Sequence, residues 1–169
     1  MPPSSDPDGL TGRSIAQLFR LFAAVLAELR RREVVRSANA PVGAYAELLV
    51  AKLTGGALAA PSEKSWDALT PTGERLQVKA RLVGSQPRPG QLELSPFRSF
   101  DFDAAIIVLL SADTYEVVRA SRVPVVEVQA RSRFRAHVNG HICFANQSLL
   151  TSMGSQDLTD PMRRLALAL

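Results

Sequence analysis

Four polar residues in the first half of the sequence are suited to holding a divalent metal ion. Asp67, Gln77 and Lys79 provide an acid, an amide and an ammonium group, and Glu47 precedes them along the chain. Proteins commonly hold Mg²⁺ through one or two carboxylates, while phosphate oxygens and water complete its octahedral shell of oxygen ligands. These residue types therefore predict chemistry on a phosphate group, assisted by Mg²⁺ or Mn²⁺, if the fold brings them together.

A predicted β-hairpin positions three of the four residues. The segments 65–69 and 75–81 both alternate in polarity, as half-buried strands do. Between them, Pro71 suits the first central position of a type I turn, and Gly73 can adopt the left-handed conformation that closes a three-residue loop. The two segments should therefore pair as antiparallel strands.

The loop also sets the register of this hairpin. If Thr70 pairs with Glu74, position 67 lies opposite position 77. Strand side chains alternate with a period of two, so position 79 faces the same way as position 77. Asp67, Gln77 and Lys79 are therefore expected on one face of the hairpin, with the apolar residues between them on the other.

Glu47 belongs to a predicted amphipathic helix that has Pro41 in its first turn and ends at Gly55 and Gly56. Glu47 borders the apolar stripe of this helix, and Gly43, one turn earlier, leaves open space on that side. The carboxylate is therefore expected to reach toward the hairpin. The stripe consists of Val42, Tyr45, Ala46, Leu49, Val50 and Leu53.

The candidate catalytic residues are therefore Glu47, Asp67, Gln77 and Lys79. The metal ligands are expected to be Asp67, the side-chain carbonyl of Gln77, the backbone carbonyl of Val78 and Glu47, directly or through water. Lys79 would lie beside the metal-bound water, where its charge lowers the pKa of that water or stabilises negative charge in the transition state.

The order of these residues resembles the PD-(D/E)XK nuclease superfamily. The resemblance covers roughly residues 41–128. Within the superfamily, the chain is similar to small bacterial proteins with the pattern Gly-x-x-x-Glu, then Asp, then Gln-[Val/Ile]-Lys. The resemblance implies an α/β, restriction-endonuclease-like fold, with a central mixed β-sheet flanked by helices. It also implies hydrolysis of DNA phosphodiester bonds. Two positions depart from the pattern: Gln77 stands where Asp or Glu is usual, and Trp66 replaces the proline before Asp67.

Arginines provide candidate contacts to a nucleic-acid backbone, since neutralised phosphates are the main source of sequence-independent affinity. Arg81 and Arg88 lie in and next to a predicted loop over 83–89. The segment 119–141 is rich in arginine and has one acid, Glu127. Its candidate contacts are Arg131, Arg133 and Arg135. The alternative is that these arginines are ordinary solvated surface charge.

The remaining segments predict the rest of an α/β domain. Residues 14–36 indicate a long N-terminal helix, starting at a Ser14-x-x-Gln17 capping box, whose apolar face packs on the sheet or in a homodimer contact. The continuous apolar run 104–110 indicates a central strand covered on both faces. Further strands are expected at 115–119 and 142–145, a strand or short helix at 124–129, and helices at 147–153 and 160–167, the last capped by Asp160.

Composition favours a single domain. The chain has 169 residues, 46% of them hydrophobic, and a formal net charge of +4 at pH 7. We expect a disordered tail over 1–10 and one nuclease-like domain over 11–169. A lone cysteine, no apolar stretch of membrane-spanning length and no signal-peptide pattern favour a cytoplasmic protein. Motifs of NTPases, oxidoreductases and serine hydrolases are absent from the sequence.

The resulting hypothesis is a Mg²⁺-dependent DNA endonuclease, either restriction-like or DNA-processing. One alternative is a nuclease-like module that binds DNA or a partner protein without cutting, because Gln77 weakens the metal site. A second alternative is a structural subunit that dimerises through its first helix and has no affinity for DNA. Metal binding through Asp67 and salt-dependent DNA affinity distinguish the three.

Overall fold

The computed structural model describes residues 8–13, 15–35, 41–60, 62–63 and 65–169, with the backbone alone for 15–20. The chain divides into two compact units, Met1–Pro41 and Val42–Leu169. Residues 1–7 of the predicted tail and Ser14 of the predicted capping box lie outside the described residues. None of the helices in the described ranges is long and apolar enough to cross a membrane.

The first unit contains helix α1, Ile15–Arg31. The helix ends before Arg36, the end expected from the sequence, because the chain turns at Glu33. That residue adopts a left-handed conformation with φ +59°, and the Val34 N–H donates to the Leu29 carbonyl at 2.9 Å. This αL termination satisfies carbonyl groups at the end of the helix.

The second unit is an α/β domain with a mixed six-stranded sheet flanked by helices. The strands of this sheet are β1 Ala57–Leu58, β2 Ala68–Leu69, β3 Arg75–Val83, β4 Ala104–Ser111, β5 Val117–Pro124 and β8 Gln156–Asp157. Their order is β1-β2-β3-β4-β5-β8, and every neighbouring pair is antiparallel except β3 and β4, which are parallel. This confirms the predicted fold class at the level of a mixed sheet with flanking helices.

Helix α2, Val42–Thr54, and helix α5, Thr159–Ala168, cover one face of this sheet. Strand β3 contributes Leu76 and Val78 to that face, as its alternation predicts. Gly55, with φ +65°, follows α2 as expected. Within the same core, Ala46 and Met162 of the two helices are completely buried.

The other face carries a second core built from the connection between β3 and β4 and from the segment after β5. Its largest fully buried side chains include Leu94, Phe97, Phe102 and Ile107. Strand β4 contributes alternate residues to both cores, and its seven residues from Ala104 to Leu110 are all buried. The prediction of a central strand covered on both faces is confirmed.

A separate two-stranded hairpin lies on the side of this second core. It consists of β6, Arg133–Arg135, and β7, Gly140–Ile142, which pair with Phe134 opposite His141. Asn139 turns the chain between them with φ +47°, as the Asn-Gly sequence indicates. Strand β7 also pairs with the β3–β4 connection, since Phe97 and His141 exchange two backbone hydrogen bonds of 2.9 Å.

Several predicted boundaries were wrong. Strand β1 was not expected, and β5 begins at Val117 and continues to Pro124 rather than ending at residue 119. The segment 124–129, predicted as either a strand or a short helix, is helical and forms α3, Val125–Ala130. Helix α4 is shorter than expected, Gln147–Leu150. Helix α5 starts one residue earlier than expected, with Asp157 rather than Asp160 accepting from the Thr159 N–H at 2.9 Å.

Candidate metal and nucleic-acid site

The β2–β3 hairpin has the predicted register. The Thr70 N–H donates to the Glu74 carbonyl at 2.9 Å, and the Gly73 N–H donates to the Thr70 carbonyl at 3.0 Å. Gly73 adopts φ +86°, which an L-residue rarely does. This turn is followed by the pairs Leu69–Arg75 and Ala68–Leu76, and the Asp67 N–H also donates to the Leu76 carbonyl, at 2.8 Å. The local turn chemistry therefore determines which side chains meet.

Asp67 is the centre of this arrangement. Its Oδ2 atom accepts a hydrogen bond from the Val78 backbone N–H at 2.7 Å and another from the Gln77 side-chain Nε2. Strand β2 pairs with β3 only at Arg75 and Leu76, while β3 continues to Val83. The half-buried Asp67 carboxylate therefore occupies the edge of β3 where its partner strand diverges.

Two further oxygen atoms belong to this edge. An ionised carboxylate accepts hydrogen bonds only, so the NH₂ group of Gln77 faces Asp67 and the Oε1 atom of the same amide keeps its lone pairs for another partner. In a β-strand the N–H and C=O of one residue point to the same side. The Val78 carbonyl is therefore directed toward the edge at which Val78 N–H meets Asp67.

Lys79 lies on the same face of β3 as Gln77 and is half-buried against the second core. Its Nζ donates to the Pro96 carbonyl at 3.1 Å and lies 4.7 Å from the centroid of the Phe97 ring. Burial lowers the pKa of Lys79, and the nearby Asp67 carboxylate opposes that shift only in part. The ammonium group is thus held in position by a carbonyl and an aromatic face.

Glu47 occupies a different position from its three predicted partners. It is half-buried on α2, and this helix packs on the face of β3 that carries Leu76 and Val78. The side chains of Gln77 and Lys79 lie on the opposite face. Glu47 can therefore contribute to the site only around the open edge of β3. Gly43 leaves open space on α2, as expected, since a Cβ at that residue would have nothing within 4 Å.

The oxygen atoms around Asp67 fit a hard cation. One carboxylate, one amide carbonyl and one backbone carbonyl are the donors that Mg²⁺ accepts together with several waters. Among the described residues, no three His, Cys, Asp or Glu side chains form a metal-binding group. Of the predicted ligands, Asp67 is the carboxylate whose hydrogen bonds hold it at this edge. Binding through both Asp67 and Gln77 also requires the amide to turn, so that Oε1 replaces Nε2 toward the ion.

The five predicted nucleic-acid contacts have separate environments. Arg81 follows Lys79 on the same face of β3, is exposed, and donates from Nε to the Gln91 carbonyl at 3.2 Å. Arg88 is exposed at the start of the short 3₁₀ helix Pro89–Leu92. Arg131 forms a 2.6 Å ion pair with Glu127. The other two, on β6, are exposed to solvent.

The arginine-rich segment is not one continuous basic surface. Arg119 pairs with Asp157 at 3.6 Å, and Arg122 forms a half-buried ion pair with Glu74. Both residues are on β5, inside the main sheet. Arg133 and Arg135 are exposed on β6 instead. The exposed basic charge of this segment is therefore concentrated on the β6–β7 hairpin.

Sequence reasoning missed the residues that link this hairpin to Lys79. Arg98 donates to the Val138 and Asn139 carbonyls, the latter at 2.7 Å, and its charge is close enough to Lys79 to lower the pKa of that lysine slightly further. Phe97 contacts Lys79 and pairs with β7. The only sequence signal for these contacts is the cluster of three phenylalanines in Pro96–Phe102.

Comparison of the chain with protein-family models and with curated proteins gave no match in either case.

Proposed function

We propose that this protein is a Mg²⁺-dependent DNA endonuclease whose site is the open edge of β3. The observation that supports the proposal is the Asp67 carboxylate at that edge, with the Gln77 amide, the Val78 backbone and Lys79 around it. The restriction-endonuclease-like arrangement inferred from the sequence requires an acid at the end of one hairpin strand and an x-Lys pair on the next. Both are present in the order that the PD-(D/E)XK resemblance implies.

Each residue has a distinct role in this proposal. Asp67, Gln77 Oε1 and the Val78 carbonyl would hold a metal ion, with Glu47 as a further ligand from α2. Polarisation of the phosphate and a lower pKa of a coordinated water are the chemistry that Mg²⁺ would supply when bound. Lys79 places positive charge where negative charge develops on the phosphate oxygens. Because Lys79 is already held by Pro96 and Phe97, little reorganisation is needed to do so.

Cleavage of supercoiled plasmid and branched DNA tests this proposal. Wild-type protein should cut with Mg²⁺ or Mn²⁺ and not with a chelator. Asp67→Ala and Lys79→Ala should each lose at least about a hundredfold in rate, as expected for a metal ligand and for a charge that stabilises the transition state. The matched controls are Asp113→Ala and Lys52→Ala, which change exposed residues of the same types. Equal cutting by all five proteins would reject the site.

A second candidate, a non-catalytic DNA-binding module, is favoured by one specific observation. The Gln77 side chain already donates to Asp67, so the carboxylate is satisfied without a cation. Two carboxylates at this position would repel each other until a metal bound. Titration calorimetry with Mg²⁺ and Mn²⁺ separates the candidates. Binding that disappears in Asp67→Ala supports the nuclease, and salt-sensitive DNA binding with no metal binding supports the module.

A further inference from the structure

The middle residue of β6 is an exposed aromatic ring between two exposed arginines. The Phe134 side chain is 57% exposed, and Arg133 and Arg135 flank it along the strand. Large aromatic side chains are usually buried in cores. An exposed ring with an exposed arginine before and after it in the strand therefore suits a ligand that combines a flat apolar face with negative charge.

The ring is held in position rather than loosely displayed. It meets His141, its partner across the hairpin, edge-on at 5.3 Å between centroids. His141 in turn lies 4.8 Å from the Phe100 ring. More than half of the Phe134 residue surface is nevertheless exposed to solvent. A ring that is held by a neighbour and still exposed can stack on a ligand at a low cost in conformational entropy.

The same contacts connect Phe134 to the candidate metal site. Phe100 stacks with Phe97 at 6.3 Å, and Phe97 supports the Lys79 ammonium group. The two backbone hydrogen bonds between Phe97 and His141 fix β7 against this support. The β6–β7 hairpin and the Lys79 ammonium group therefore pack on the same cluster of aromatic rings.

Charge around the hairpin favours a polyanion. The sequence contains no acidic residue between Glu127 and Asp157, so the whole hairpin lies in an acid-free segment. In the described part of the chain, β6 pairs with β7 alone, which leaves its other edge open. Alternation places Phe134 on one face of β6 and both arginines on the other. A nucleotide strand along the open edge can contact both faces, with a base on the ring and phosphates on the arginines.

We propose that Phe134 stacks on an unpaired base while Arg133 and Arg135 bind the neighbouring phosphates, so that the preferred ligand is single-stranded DNA or a DNA end, flap or junction with unpaired nucleotides. This inference rests on the proposed nucleic-acid function and adds its substrate class. The bases of an intact duplex are stacked on each other, so their faces cannot reach the ring. The arginines, by contrast, serve duplex and single strand alike.

Binding measured with the metal chelated tests the inference separately from cleavage. Fluorescence anisotropy would compare a labelled single-stranded oligonucleotide with a blunt duplex of the same length. Phe134→Ala should weaken single-strand binding by about tenfold, in the range found for loss of one base–aromatic stack, and duplex binding by less than about twofold. Phe134→Trp should restore single-strand affinity, and its added fluorescence should be quenched by the oligonucleotide.

Val126→Ala is the matched control, because Val126 is a 64% exposed apolar residue on α3. It should bind both ligands as the wild type does. Equal losses for single strand and duplex in Phe134→Ala, or no loss for either, would overturn the inference. So would a change from dimer to monomer in that variant by light scattering, which would assign the ring to self-association. A protein that binds single strands through Phe134 but never cuts would reject only the nuclease.

Discussion

At the scale of single residues, Gln77 decides how the candidate site behaves without a metal ion. Its amide donates to the same Asp67 oxygen that accepts from the Val78 N–H. This pairing keeps a half-buried carboxylate hydrogen-bonded when no cation is present. A glutamate would instead place two negative charges together, which raises the pKa of one of them or attracts a cation.

Gln77→Glu should therefore make the protein more dependent on metal. Without Mg²⁺ we expect a free energy of unfolding lower by about 1 kcal/mol, because like charges replace a hydrogen bond. With saturating Mg²⁺ the variant should gain more stability than the wild type gains, by the linkage of binding to folding. Thermal unfolding of both proteins with and without Mg²⁺ measures this. An identical response of the two proteins would show that position 77 does not face the metal.

Burying the charged form of Lys79 lowers the stability of the folded protein. Burial lowers the pKa of this lysine, so the folded protein binds the proton less tightly than the unfolded chain does. Stability should consequently rise with pH between the lowered folded pKa and the ordinary value of 10.5. Functional sites often keep residues that lower stability, because the chemistry requires those residues.

Lys79→Met should remove this loss of stability, because methionine carries no charge. We expect the variant to be more stable than the wild type by about 1 kcal/mol near neutral pH, since an apolar side chain replaces a partly desolvated charge. The difference should shrink as the pH approaches 10.5, above which the lysine is neutral in both states. Urea unfolding across this pH range gives the comparison. A variant that is less stable at every pH would mean that the contacts with Pro96 and Phe97 outweigh desolvation.

At the scale of elements, the close approach of β7 to the β3–β4 connection holds the second half of the site together. Gly140 begins β7, and a Cβ there would lie 2.8 Å from the Pro96 Cβ and 3.0 Å from the Phe97 carbonyl oxygen. Pro96 also accepts the hydrogen bond from Lys79. The absence of a side chain at Gly140 therefore lets β7 pack closely against Pro96 and Phe97, the two residues that contact Lys79.

Gly140→Ala should separate these elements. The overlap with backbone and proline atoms is expected to destabilise the protein by about 1–3 kcal/mol. DNA affinity should fall as well, because the arginines of β6 lose their fixed position. Denaturant unfolding and DNA-binding titrations report the two effects. Gly84→Ala is the control, since nothing lies within 4 Å of the corresponding Cβ. Equal stability and equal DNA affinity of the two variants would show that the close contact at Gly140 does not hold the hairpin in place.

At the scale of the whole molecule, a net charge of +4 is a weak guide to nucleic-acid binding because much of the basic charge is paired. Arg119, Arg122 and Arg131 each have a carboxylate partner. The exposed β6 arginines and Arg98 belong instead to the hairpin side of the sheet, where Lys79 is held. Affinity for DNA should therefore depend on where an arginine lies and not on the total charge.

The salt dependence of DNA binding reports how many arginines neutralise phosphates, and therefore which arginines contact DNA. The double variant Arg133→Gln/Arg135→Gln should reduce the slope of log affinity against log salt by about 2, roughly one for each arginine that no longer neutralises a phosphate. Arg119→Gln, which removes one charge from an ion pair with Asp157, should leave the slope nearly unchanged. Equal changes per charge removed in the two variants would indicate a diffuse electrostatic effect and would reject the hairpin as the binding surface.

Local sequence was sufficient to predict the β2–β3 hairpin and the contact between Asp67 and Gln77. Pro71 and Gly73 specify the loop, and alternation along β3 then places Lys79 on the same face as Gln77. These features depend on backbone conformations and hydrogen bonds between residues close in the chain, for which local sequence is sufficient. The buried strand β4 was predicted from its continuous run of apolar residues, which is also a local property of the sequence.

Long-range packing sets which face of the sheet each helix covers and which charged side chains form ion pairs. It placed α2, with Glu47, on the face opposite Lys79, and it paired Arg122 with Glu74. It also brought Pro96, Phe97 and the β6–β7 hairpin to Lys79. These contacts join segments far apart in the chain and depend on how whole elements pack, so no short-range pattern in the sequence encodes them.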